Sequence, residues 1–170
     1  SCLMLFYTGI KRTASDVAGS YIDGIEVNKR QLRIMKDLVD ESLSLLSSGQ
    51  PIEGFGELMR EAWQAKRSLG PKVSNPQVDD LFKAALAAGA IGGKLTGAGG
   101  GGFLLLFVPP GSRAKVREVL KKLIFVPFKF EYSGTQVIFF DPEEDFSDLE
   151  KERKGQTIDR FRELHEIKAD

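Results

Sequence analysis

Sulfur and imidazole are almost missing from this sequence, with one cysteine and one histidine among 170 residues. A lone Cys2 offers no disulfide framework and suits a reducing cytoplasm. It reads as a small hydrophobe at a strand start rather than a nucleophile, and transition-metal ligation is not expected. Net charge is also missing, because 24 basic residues balance 24 acidic ones. No overall field recruits nucleic acid or an anionic membrane, although a local basic rim remains open. A basic stripe interleaved with aromatics is absent as well, which sets single-stranded nucleic acid aside. No apolar run approaches the roughly 20 residues of a membrane span. Ser1-Cys2-Leu3-Met4-Leu5-Phe6 lacks the basic start of a secretory signal. It also lacks an initiator methionine and opens directly in a strand, so truncation is expected. No internal repeat is visible, and the length allows one domain with a proper core.

Glycine is what the chain has in abundance, and it is concentrated. Five of the six residues from Gly97 to Gly102 are glycine, within Gly92-Gly93-Lys94-Leu95-Thr96-Gly97-Ala98-Gly99-Gly100-Gly101-Gly102, and an apolar strand over 103–108 follows. Glycine costs backbone entropy, so such a run persists where φ is positive or another group comes close to the backbone. Peptide N–H groups without side chains can converge on an anion, and phosphate is the usual guest. Lys94 and Thr96 stand at the mouth and can add a charge and a hydroxyl. The competing reading is a glycine-rich hairpin or bulge that only links strands.

Three familiar phosphate loops fail on context. Gly97, Gly99 and Gly102 satisfy G-x-G-x-x-G, but a dinucleotide site needs a helix next, and a strand follows. Gly93-Lys94 is followed by Leu95, which rules out Walker A. Downstream, nothing reads H-R-D or D-F-G, the nearest being Asp145-Phe146-Ser147.

Residues 3–8 form an apolar strand closed by Thr8-Gly9, and Ser15-Asp16 can cap a helix carrying Val17, Ala18 and Tyr21. Thr8 and Arg12 then lie in a turn before a helix N-terminus, where Arg12 can clamp a phosphate or simply remain solvated. A long helix is expected over 27–47, with Leu32, Met35, Val39, Leu43 and Leu46 as its apolar face. Ser48-Gly49-Gln50-Pro51 breaks it. A second helix follows with Phe55, Leu58, Ala62, Ala65 and Leu69 inward. Trp63 lies off that stripe, as a packed ring or, less simply, a sugar platform. Lys66 and Arg67 read as solvated or, less simply, as pointing at a ligand phosphate.

Ser74 or Asn75 can cap a third helix with Pro76 in its first turn. Its alanine-rich end is expected beneath the glycine loop. Asp79-Asp80 reads as dipole-complementing charge rather than a metal pair. A helix over 112–122, with Val116, Val119, Leu120 and Leu123 inward, then precedes strands near 124–131 and 135–140, joined at Ser133-Gly134. The fold class is α+β, an antiparallel sheet with helices packed on one face. After Asp141-Pro142 the chain becomes densely charged, with a helix expected at about 157–168 and His165 beside its apolar side.

The glycine stretch resembles the third motif of the GHMP small-molecule kinases, in which a lysine and small residues lead into a Gly-Ala-Gly turn and a strand. Thr8-Gly9-Ile10-Lys11-Arg12 is similar to the Thr-Gly-x-x-Arg segment of the sugar-kinase branch, the heptose 7-phosphate kinases and fucokinases. Phe125-Val126-Pro127-Phe128-Lys129-Phe130 with Ser133-Gly134-Thr135 resembles the end of that branch. The resemblance covers 1–141 and leaves 142–170 as a charged, helical extension.

It implies a ferredoxin-like C-terminal kinase domain and a 1-kinase transferring the γ-phosphoryl of ATP, with Mg²⁺, to a phosphorylated sugar. Thr8, Gly9, Arg12, Lys94, Thr96 and the residues 97–102 would bind substrate or phosphate. No catalytic base and no metal ligand is assigned. The family's ATP loop, of Gly-Leu-Gly-Ser-Ser-Ala type, and its catalytic aspartate lie in an N-terminal domain and have no counterpart here. ATP, the phosphorylated sugar and that missing domain are therefore the expected partners, with oligomerisation left open and the cytoplasm as location. The alternative is a non-enzymatic α+β module that binds a small phosphorylated ligand.

Overall fold

The computed structural model describes residues 2–22, 24–138 and 145–155. Strands β1 (Leu3–Tyr7), β2 (Gly92–Leu95), β3 (Phe103–Phe107) and β4 (Ile124–Val126) form one antiparallel sheet in the order β2-β3-β1-β4. Helices α1 (Ala14–Ile22), α2 (Ile25–Ser47), α3 (Glu53–Arg67) and α4 (Pro76–Ala87) separate β1 from β2, and α5 (Arg113–Val119) separates β3 from β4. This succession and strand order are the split βαβ arrangement of the ferredoxin-like fold. The expected class, α+β with an antiparallel sheet, is what forms.

Strand alternation decides which side of the sheet is the core. Pairing of Met4 with Leu106 and of Phe6 with Leu104 places these four fully buried side chains in adjoining rows, with Leu95 opposite Leu104. Val17 of α1, Trp63 of α3, Val78, Phe82 and Ala85 of α4, and Val116 of α5 complete the same cluster. Burying each of the larger side chains contributes roughly 1.5–3 kcal/mol.

Several elements depart from expectation. β2 was not foreseen, because Gly92 and Gly93 are poor strand formers; the ladder to β3 and the packing of α3 hold it instead. On α2 the anticipated apolar face is largely outside. Leu38 is buried, whereas Val39, Leu43 and Leu46 are 57%, 60% and 55% exposed. Of the stripe anticipated for α3, Leu69 is buried just past the helix end, Phe55, Leu58, Ala62 and Ala65 are half-buried, and the deeper row is Gly56, Met59 and Trp63. Trp63 is 1% exposed with its ring 6.4 Å from Phe82, so it is a core ring and no sugar platform.

α1 starts at Ala14, which puts Asp16 inside its first turn rather than at its cap. Asn75 does cap α4, its Oδ1 accepting from the Val78 amide at 3.0 Å with Pro76 next. The alanine-rich end of α4 leads into β2, away from the glycine loop at the far end of that strand. Val119 on α5 is exposed. β4 stops at Val126, and residues 135–138 form no strand; 139–140, the helix expected at 157–168 and His165 lie outside the described residues.

Two compact units divide between Lys129 and Phe130. In the second, helix α6 (Ser147–Gly155) starts where Asp145 accepts from the Ser147 amide and hydroxyl, which lowers the Asp145 pKa. Ion pairs Asp148–Lys151 and Glu150–Arg153 line it at i,i+3 spacing. No helix among the described residues is long and apolar enough to cross a membrane.

The indole Nε1 of Trp63 is buried with no hydrogen-bond partner among the described residues. An unpaired buried donor costs about 1–3 kcal/mol. Trp63→Phe keeps most of the ring volume and removes that donor. Equilibrium urea unfolding is expected to show a change within about 1 kcal/mol of zero, well short of the loss from deleting a core aromatic; a loss above about 3 kcal/mol would mean the indole N–H is needed.

Candidate anion-binding site

Two segments distant in sequence meet because β1 and β3 are neighbours. The turn after β1 and the loop before β3 emerge at the same end of the sheet and enclose an open cavity of about 460 Å³. One wall is Tyr7, Ile10, Lys11, Arg12 and Ala14; the other is Thr96, Gly97, Ala98, Gly99, Gly101 and Gly102. The residues singled out from the sequence are thus brought together, apart from Lys94, Thr8, Gly9 and Gly100, which are not part of the lining. Thr8 and Gly100 act from behind it.

The loop is the hairpin between β2 and β3, and backbone bonds to three neighbours fix its path. Thr8 donates from its amide and from Oγ1 to the Gly102 carbonyl, both at 2.8 Å. The Gly102 amide donates to Ile10 at 2.9 Å, and the Gly100 amide to Val73 at 2.7 Å. Asn75, besides capping α4, donates from Nδ2 to the Gly100 carbonyl at 2.8 Å. The Thr8 hydroxyl proton is therefore spent on the loop rather than offered to a ligand. Thr96 closes the hairpin, its amide 2.9 Å from the Phe103 carbonyl.

This scaffold explains why the loop has no side chains. Gly97, Gly99, Gly100 and Gly102 have φ of 75°, 116°, 73° and 83°. A Cβ at Gly99 would sit 2.6 Å from the Val73 carbonyl oxygen, and one at Gly100 would sit 2.9 Å from that of Lys72 and 3.2 Å from Arg12 Cγ. At 99–101 the glycines are demanded first by the protein's own backbone. The amides of Gly97, Ala98, Gly99 and Gly101 make no backbone bond among the described residues, which leaves them as the donors an anion can take.

Cations gather at this end of the sheet. Arg12 is exposed, its Nη1 on the Lys11 carbonyl at 3.3 Å, and its aliphatic stem lies against the Gly100 position. Lys94 is exposed on β2. Lys66 of α3, expected to be solvated, is half-buried and donates from Nζ to the Gly97 carbonyl. Burial, and then the charge of Lys94, hold its pKa below the ordinary lysine value. Among the described residues no carboxylate is in salt-bridge range of Lys11, Arg12, Lys66 or Lys94. Arg67 differs from them, being held by Asp79 at 2.6 Å while Ser74 donates to the same carboxylate at 2.7 Å. Asp80 turns to Lys83 instead, so the two aspartates do not converge. No group of three metal-binding side chains occurs among the described residues. Another cavity, about 420 Å³ between α2 and α3, is edged by Glu41, Glu57 and Glu61 and is unsuited to phosphate.

Residues 34–124 match the family model described as GHMP kinases C terminal. The chain belongs to the GHMP kinases. Its GHMP domain is 26% identical to D-glycero-alpha-D-manno-heptose 7-phosphate kinase of Campylobacter jejuni, over 70% of this chain and 35% of that protein. It is 29% identical to L-fucokinase/L-fucose-1-P guanylyltransferase of Bacteroides fragilis, over 70% and 13%. Against mevalonate kinase of Pyrococcus horikoshii it is 35% identical, over 70% and 37%. The crystal structure of Methanococcus jannaschii mevalonate kinase superposes with a TM-score of 0.60 at 24% identity, over 73% of this chain and 37% of that one, which shows the shared fold. The chain thus spans about a third of the heptose and mevalonate kinases it matches.

Proposed function

We propose that this chain is the substrate-side part of an ATP-dependent sugar kinase, with a phosphorylated sugar of the heptose 7-phosphate type as acceptor and its anomeric hydroxyl as the group phosphorylated. The observation that carries the reading is the cavity lined by Lys11 and Arg12 on one wall and, on the other, by loop residues whose amides make no backbone bond, with no carboxylate among the described residues in salt-bridge range of the two cations. Phosphoryl transfer depends mainly on positioning and charge stabilisation, which this arrangement is built to provide. Arg12 would hold the acceptor's phosphate bidentately, the amides of Gly97, Ala98, Gly99 and Gly101 would take phosphoryl oxygens, and Lys94 and Thr96 would close the mouth. Gly9 and Gly102 would give the turn and the loop their bends, while Thr8 and Gly100 would hold the loop in place. The residues suit anions and not a metal, so the Mg²⁺ that accompanies ATP would be held by the nucleotide and by an N-terminal domain carrying the ATP loop. Family membership favours this over a non-catalytic sensing module.

Full-length protein supplied with Mg·ATP is expected to release ADP with heptose 7-phosphate and not with mevalonate, galactose or fucose. The 170-residue chain alone is expected to be inactive; turnover at an ordinary enzyme's roughly 1–10³ s⁻¹ would contradict the division of labour. In the full-length protein Arg12→Ala should weaken a phosphorylated sugar tenfold or more while hardly affecting its unphosphorylated analogue, since a charge-assisted contact contributes about 1.5–3 kcal/mol. Equal losses for both ligands would remove Arg12 from the phosphate.

A further inference from the structure

We propose that Lys66 is a further binding residue of this site: its ammonium, lodged on the Gly97 carbonyl, joins Lys94 in holding a phosphoryl group at the rim of the glycine loop. The inference rests on the phosphate reading above and adds a residue from α3, where the sequence favoured a solvated lysine over one aimed at a ligand phosphate.

The geometry is specific. Lys66 is the one α3 side chain that reaches the loop by a hydrogen bond among the described residues, and it does so at Gly97, a lining residue of the cavity. Its neighbour Arg67 is tied to Asp79 and is not available for the same task. A lysine sent to a surface would avoid another cation, yet Lys66 is half-buried and electrostatically coupled to Lys94. A carbonyl oxygen supplies only a partial negative charge, so two ammonium groups are left with one dipole between them. An anion at the rim removes that imbalance, and a bound phosphoryl oxygen is a stronger acceptor than a carbonyl. The one charged side chain whose field acts on Lys66 among the described residues is Lys94 of β2, and the loop 96–102 contributes nothing that titrates.

Proton linkage separates a ligand-binding lysine from a merely structural one. Burial and Lys94 lower the Lys66 pKa in the free protein. An anion beside it favours the charged form, so binding in the alkaline range where Lys66 is partly neutral should draw a proton from solvent. Affinity should therefore fall as pH rises through the lowered value.

The experiment is calorimetric titration of the full-length protein with inorganic pyrophosphate across the alkaline range, in two buffers of different ionisation heat, with wild type read against Lys66→Met so that the ligand's own ionisation cancels. Wild type is expected to take up protons. Lys66→Met should bind tenfold or more weakly and lose the uptake, and Lys66→Arg should recover affinity without it. Wild-type uptake no greater than that of Lys66→Met, or Lys66→Met binding as tightly as wild type, overturns the proposal. If Lys66→Met does not fold, Lys94→Met decides: removing its charge relieves Lys66 and should diminish the uptake, and an undiminished uptake overturns the pairing. Should Arg12→Ala weaken pyrophosphate while Lys66→Met does not, the inference about Lys66 alone fails. If wild type does not bind pyrophosphate and Arg12→Ala leaves sugar phosphate affinity unchanged, the phosphate reading fails and takes this one with it.

Discussion

Gly92→Ala is expected to cost about 3 kcal/mol or more of unfolding free energy, among the largest effects of any single-methyl addition to this protein. A Cβ at Gly92 would overlap the Gly56 carbonyl oxygen of α3 and lie 2.9 Å from the Arg60 amide nitrogen. Neither is a side chain that can rotate away; both belong to a helix backbone. The helix must lift from the edge strand, and α3 carries Met59 and Trp63 into the core, so the displacement spreads. Overpacking of this kind typically costs about 1–3 kcal/mol and more where backbone must move. Gly56→Ala meets the other side of the same contact, with Phe107 Cδ1 at 2.8 Å and Ile91 Cβ at 2.9 Å. The matched control is Gly111→Ala, where nothing lies within 4 Å and φ is ordinary. Urea unfolding of the three variants checks this, and a Gly92→Ala protein within about 0.5 kcal/mol of wild type would show that α3 is not seated on β2 as described.

The second large effect is expected at Gly101, and it reaches both stability and ligand. Its φ is not in the positive range, so alanine brings no backbone strain and tests crowding alone. The added Cβ would overlap the Ile10 carbonyl oxygen and sit 2.9 Å from Ile10 Cγ2. Ile10 must then withdraw, and its carbonyl loses the Gly102 amide that it holds at 2.9 Å. Lys11 and Arg12 follow Ile10 directly in the chain, so the cationic wall of the cavity moves away from the loop. We expect a loss of about 2 kcal/mol in stability and, in the full-length protein, a fall of a hundredfold or more in affinity for a phosphorylated ligand, since displacing positioned groups by an ångström is enough for that.

Gly97→Ala makes the contrast. Nothing lies within 4 Å of its Cβ, and only the φ of 75° resists. That costs roughly 1–2 kcal/mol and leaves the β1 turn in place. The comparison is read from denaturant unfolding and ligand titration on each variant. Equal ligand effects at Gly97 and Gly101 would mean that the turn and the loop do not share one site.

Much of this protein could be read along the chain. The 3.6-residue periodicity marked α2 to within two residues and announced α3 after it, Ser48–Pro51 ended α2, and Asn75-Pro76 announced the start of α4, because capping and turn chemistry are local. Thr8–Arg12 and Gly97–Gly102 stood out through residue types that an anion site requires. Other features were settled only when the chain closed on itself.

Two glycines hid β2, since a strand held by its ladder and by a helix laid on bare backbone has no propensity signature of its own. The buried sides of α2 and α3 depended on where a second helix and the sheet lay, so Val39 faces outward against expectation and the deep row of α3 runs through Met59 and Trp63 rather than the anticipated stripe. Lys66 looked like any surface lysine on a helix, as its partner is a carbonyl 31 residues away. Pairing of β1 with β3 brought Arg12 to the glycine loop across almost a hundred residues, and no local pattern carries that information. Periodicity and capping determine which residues form each element; the backbone ladder and the crowding around glycine determine which of them meet.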